Sequence, residues 1–229
     1  MKFKYLDRFI LGFILLVFIA YWPTYFSKFF DGSADFSQYF HFHAITAISW
    51  VLLLIIQPIL IRRKKLSLHK RVGKISYGLV PILYISVMLL AHHRIDPTAE
   101  DMAIQLWIPF KDLVIFSFGY GIAIRYRKIQ AIHARGMIVA GMALIEPTMV
   151  RFFINVLGIP GSAGYPMGIS LDYIILIILM VLERKEKKAR WVFPTAFLLF
   201  LFIHAVRIFK IPLPFWDDFA HWFLSLPLT

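Results

Sequence analysis

The chain has 229 residues, 60% of them apolar and 17% aromatic, with a mean hydropathy of +0.73. Only 17% is charged, against about 25% in a soluble domain, which excludes a disordered chain, a coiled coil and a soluble nucleic-acid-binding domain. The net charge of +12 must therefore be read by position, and the absence of cysteine excludes disulfides and thiolate chemistry.

About 20 apolar residues cross a bilayer, and seven apolar stretches predict seven spanning helices in an all-α polytopic membrane protein. They run roughly over 8–27, 40–61, 72–93, 104–124, 134–157, 167–183 and 191–210. The first reads as a span and not a signal peptide, because Tyr21-Trp22-Pro23 offers no small-residue cleavage site. The second opens with His41 and His43, and His43 shares a helical stripe with Ala47, Trp50, Leu54 and Gln57. The third closes on His92 and His93, and the fourth carries Lys111 and Asp112. The fifth holds Glu146 and Arg151, the latter in a stripe with Thr148 and Asn155. The sixth is short and carries Asp172; the seventh carries His204 and Arg207. The tail Ile211–Thr229, broken by Pro212, Pro214 and Pro227, predicts a short interfacial helix rich in aromatics. No repeat or linker is visible, so residues 1–229 are expected to form one transmembrane domain.

Charge sets the expected topology. Met1–Arg8, Arg62–Lys74, Arg125–Arg135 and Glu183–Arg190 hold 19 bases and three acids, whereas 28–39, 94–103 and 158–166 hold two bases and five acids. Lys and Arg concentrate on the cytoplasmic side, which predicts the N-terminus inside and the C-terminus outside, in the cytoplasmic (inner) membrane. The bases on that face also favour anionic headgroups, at about 1 kcal/mol each near the surface. Lipid is thus the expected partner, and nucleic acid is not.

Ionisable groups within a span cost about 2.5–3.5 kcal/mol each on insertion scales and mark function by default. Lys111, Asp112, Glu146, Arg151, Asp172 and Arg207 are three bases and three acids that cancel. With this orientation all fall in the outer half, together with His43, His93 and His204. That layer admits several chemistries. His43, His93, His204 and Asp172 are candidate ligands for zinc, iron or copper, with Glu146, Asp112 and Arg151 as catalytic residues of a metal-dependent membrane enzyme acting on a lipidic or small substrate. The alternatives are a b-type haem electron-transfer protein, a proton- or cation-coupled transporter, and an ion-pair network that only ties helices together. On the inner side, His69 and His133 each precede a span among bases, suited to a lipid phosphate or to a bound cofactor.

The order His43…Gln57-Pro58…Leu68-His69-Lys70-Arg71-Val72-Gly73, then His133-Ala134-Arg135-Gly136-Met137 and Arg151, resembles the bacterial multipass families of predicted membrane proteins of unknown function. Their pattern is a His opening one span, a Gln near its end, a Leu-His-Arg-x-x-Gly turn and a later His-x-x-x-Met span ending in Arg. The resemblance covers spans two to five, with Lys70 where the family usually has Arg, and implies an integral membrane protein without naming a reaction. A weaker similarity is to membrane di-haem cytochromes and ferric-reductase-like proteins, which implies haem held between histidines at two depths.

Overall fold

A computed structural model describes residues 6–33, 37–209 and 211–229, with the side chains of 6–11 left aside. Every regular element among them is helical. In chain order they are α1 (Leu6–Tyr21), α2 (Gln38–Arg62), α3 (Leu66–Gly73), α4 (Ser76–Arg94), α5 (Met102–Arg125), α6 (Gln130–Met142), α7 (Ile145–Arg151), α8 (Gly161–Leu182), α9 (Val192–Ile208) and α10 (Trp216–Leu224). π-helical turns continue α1 over Trp22–Phe26 and α7 over Phe152–Val156. Among the described residues, six helical segments are long and apolar enough to cross a bilayer: Gly12–Phe29, Gln38–Arg62, Leu66–Arg94, Met102–Arg125, Gln130–Val156 and Gly161–Leu182.

Two lengths differ from the sequence expectation. The sixth span is not short: α8 has 22 residues and begins at Gly161. Its first turns, Gly161-Ser-Ala-Gly-Tyr-Pro, look like a loop in sequence but are fixed by packing. A Cβ on Gly164 would lie 2.7 Å from Ile154 Cγ1, and one on Gly168 would run into Val150. The short helix is instead α9, whose 17 residues span about 26 Å at 1.5 Å per residue.

The residues fall into two compact units. The first holds α1, α5 from Asp112 onward, α6, α7, α8 and α9 as far as Ala205. Its α5 and α6 approach backbone to backbone through Gly119 and Ala123 on one helix and Gly136 and Ala140 on the other. A Cβ on Gly136 would sit 2.6 Å from the Ala123 nitrogen, and one on Gly119 would strike the Ala140 backbone. Small residues four apart on both helices allow this contact, as they do between helices in lipid generally. Beyond α6 the fifth span breaks at Ala143–Leu144. Pro147 explains the break, because it cannot donate to the Ala143 carbonyl and its ring crowds that turn. Thr148 Oγ1 then donates to the Leu144 carbonyl at 2.7 Å.

The second unit holds α2, α3, α4, α5 up to Lys111 and the chain from Val206. The tail forms α10 and folds back on the ends of α4 and α5, where Ala220, Phe223 and Leu224 join Ala91, Ile95, Met102 and Leu106 in one buried cluster. Trp216 Nε1 donates to the Ala103 carbonyl at 2.9 Å, and His92 Nδ1 lies 2.6 Å from Thr229 Oγ1.

Candidate functional site

Three helices of the first unit bring together a buried polar chain. α8 presents a stripe of Gly164, Gly168, Asp172 and Leu176, each four residues from the next and all buried. Its glycines pack on α7 and the π-turn after it, which carries Asp172 inward on the same stripe and turns Tyr173 toward α9. α9 buries Phe193, Ala196, Phe200 and Ile203 along one face, and His204 lies beside that face. Glu146 stands in the first turn of α7, immediately after the break in the fifth span.

The three side chains meet in a line. His204 Nε2 is 3.0 Å from Glu146 Oε2, and His204 Nδ1 is 2.9 Å from the Tyr173 hydroxyl. His204 is 1% exposed and Glu146 3%, so water does not complete their hydrogen bonding. With Glu146 ionised and His204 neutral, Nε2–H donates to the carboxylate, and Nδ1 must then accept from the Tyr173 hydroxyl. Phe200 and Phe197 stand edge-on to the His204 and Tyr173 rings. Such an arrangement can pass a proton along three ionisable groups in surroundings that strengthen every bond among them.

The other expected site residues are distributed as follows. Asp172 is fully buried next to Tyr173. Arg151, at the end of α7, donates from Nη1 to the Pro147 carbonyl at 3.0 Å and holds its guanidinium over the Tyr21 ring of α1 at 4.9 Å. Asp112 is half-buried on α5. His133, at the start of α6, donates from Nδ1 to the Ala123 carbonyl of α5 at 2.9 Å. In the second unit, Ser86 Oγ donates to the Leu83 carbonyl at 2.7 Å, so His43 Nδ1, 3.2 Å away, donates to Ser86, with Thr46 Oγ1 at 2.8 Å from the same oxygen. His93 is exposed, its ring centroid 4.9 Å from that of Tyr39. Gln57 clamps α3: with its amide oriented so that both ends are satisfied, the NH2 donates to the His69 carbonyl at 3.2 Å and to His69 Nδ1, and the oxygen accepts from the Gly73 N–H at 3.0 Å.

Among the described residues no three His, Asp or Glu side chains gather where they could hold a metal ion. The histidines expected as ligands are engaged otherwise: both His204 nitrogens are hydrogen-bonded, His43 is bonded to Ser86, and His93 lies tilted against the Tyr39 ring. This donor set does not fit the expected metal.

Tyr173 is the participant that sequence reasoning overlooked. Its signal was present, since a tyrosine beside an intramembrane aspartate in a span cannot bury its hydroxyl without a partner. Compared with protein-family models, with curated proteins and with solved structures, the chain matches none.

Proposed function

We propose that this is a seven-crossing protein of the cytoplasmic membrane, N-terminus inside and C-terminus outside, in which Glu146, His204 and Tyr173 form a proton relay. The observation that carries the reading is the continuous Glu146–His204–Tyr173 hydrogen-bonded chain within the first unit. Chains of carboxylate and imidazole inside membrane helices serve pumps and transporters as proton paths, and this one lies beside a broken helix, a common feature of intramembrane binding sites. A relay suits these residues better than a metal centre, because a ligating imidazole nitrogen must give up its hydrogen bond, and His204 has both engaged. The multipass families of unknown function remain the proposed kinship. The Gln57–His69–Gly73 clamp supports it by giving three residues of that pattern one physical purpose.

The test is protonation of His204 itself. Histidine labelled with nitrogen-15, read by solid-state NMR in proteoliposomes, reports the state of each ring nitrogen. A relay predicts that protonated and unprotonated forms of both His204 ring nitrogens are populated, and that Glu146→Gln changes their proportions. A ring fixed in one state throughout, and indifferent to Glu146→Gln, would leave only a structural role.

A further inference from the structure

The tip between α2 and α3 carries more bases than any other basic segment. Residues 62–74 contain seven Lys and Arg and no acid, and all seven are exposed. Arg135, by contrast, is bound to Glu183, with Glu186 at 4.0 Å. Among the described residues, Arg63, Lys64, Lys65, Lys70, Arg71 and Lys74 form no ion pair.

The tip is also held in shape. α2 closes with Lys65 N–H on the Leu60 carbonyl and Lys64 N–H on the Ile61 carbonyl, both at 2.9 Å. This places Lys64 at φ 57°, the left-handed position that glycine usually takes at a helix end. A lysine there keeps a cation at the apex at the expense of backbone strain. One turn on, the Gln57 clamp fixes His69 and Gly73 against α2. Lys70 and Lys74 then share a stripe of the returning segment four residues apart, with Arg71 round the helix from His69. Leu66, Leu68, Ile75 and Tyr77 are exposed among these cations.

Fixed cations interleaved with exposed apolar side chains fit an amphipathic anion. We propose that this tip binds the headgroup phosphate of anionic phospholipids through Lys70, Arg71 and Lys74, with Gln57 as the positioning residue and acyl chains along the neighbouring apolar side chains. A soluble anion would gain nothing from Leu66 and Leu68. The proposal rests on the chain lying in a bilayer, and not on which side the tip faces.

The experiment compares spin-labelled phosphatidylglycerol with phosphatidylcholine at the full-length protein in nanodiscs, where both leaflets have the same composition. Wild type should immobilise the anionic lipid preferentially. Lys70→Gln with Arg71→Gln should reduce that preference at least about fivefold, and Gln57→Leu, which removes no charge, should also reduce it. Lys187→Gln with Lys188→Gln, an equal loss of charge in a segment where Glu183 and Glu186 already offset the bases, should reduce it distinctly less. Equal falls for the two double variants, an unchanged preference in Gln57→Leu that is folded by circular dichroism, or displacement of the labelled lipid by inorganic phosphate would each overturn the proposal. Failure of the proton relay would leave these outcomes untouched, because no residue is shared.

Discussion

Burial decides what each bond in the Tyr173–His204–Glu146 chain is worth. Tyr173→Phe removes one hydroxyl and nothing else, leaving Nδ1 of a 1% exposed imidazole unsatisfied. A buried polar atom stripped of its partner costs about 1–3 kcal/mol. Glu146→Ala should cost more, because it strips Nε2–H of its acceptor and leaves a void in a buried site as well, whereas Glu146→Gln keeps an acceptor oxygen for Nε2–H. Thermal melting in detergent should therefore rank wild type above Glu146→Gln, then Tyr173→Phe, then Glu146→Ala. A Glu146→Ala protein as stable as wild type would show that the contact contributes little. Outside the membrane, Asp96 accepts from the Thr98 hydroxyl at 2.7 Å and the Thr98 N–H at 2.8 Å, and these bonds, the hydroxyl first, hold its carboxyl below the usual range. A depressed carboxyl stabilises the fold above its unfolded value and loses that contribution as pH falls through its folded one. Opening of the 94–103 loop, followed by hydrogen exchange at Thr98, should thus increase only on acidification below the ordinary aspartate range. The Asp96→Ala protein should lack that step.

At the scale of helices, close approach is set by small residues. Gly136→Ala would place a Cβ 2.6 Å from the Ala123 nitrogen, so α5 and α6 must separate. Overpacking of this kind costs about 1–3 kcal/mol. Gly121→Ala, on the same α5 but with open space about its Cβ position, should instead be neutral or stabilising by up to about 1 kcal/mol. Opposite shifts in melting temperature are expected, and two equal shifts would refute the backbone contact. The hydropathy pattern made α2, α4 and α5 legible to within a few residues, because a long apolar run has no alternative in a bilayer. It did not show the break at Ala143–Leu144. There Pro147 stands between Glu146 and Thr148, and a proline in a membrane helix either kinks it or ends it according to its neighbours. Nor did it show the start of α8, where Gly164 falls in the expected loop but packs against Ile154, in one stripe with Gly168 against Val150. The candidate site was half legible: Glu146, Asp172 and His204 announced themselves as ionisable groups in apolar helices. Which of them meet depends on helix rotation, and sequence periodicity in uniformly apolar helices fixes rotation poorly.

For the molecule as a whole, the number of crossings turns on the short α9. Six crossings would return the C-terminal tail to the side of the N-terminus, and seven would place it opposite. α9 spans about 26 Å, a few ångströms less than a typical hydrocarbon core, a mismatch that local thinning and flanking side chains accommodate at small cost. Trp191 stands at its start and Arg207 at its end, residues suited to the two interfaces. Charge also favours a crossing: residues 183–190, before α9, carry five bases and two acids, whereas 211–229, after it, carry two acids and no Lys or Arg. The natural chain has no cysteine, so one introduced thiol reports one position. Ser225→Cys, exposed at the end of α10, and Lys187→Cys, exposed before α9, should react oppositely with a membrane-impermeant maleimide. In right-side-out vesicles Ser225→Cys should label at once and Lys187→Cys only after the membrane is permeabilised. Labelling of both, or of neither, before permeabilisation would put the two positions on one side. α9 would then be a re-entrant or interfacial helix, and the protein would have six crossings with its tail inside.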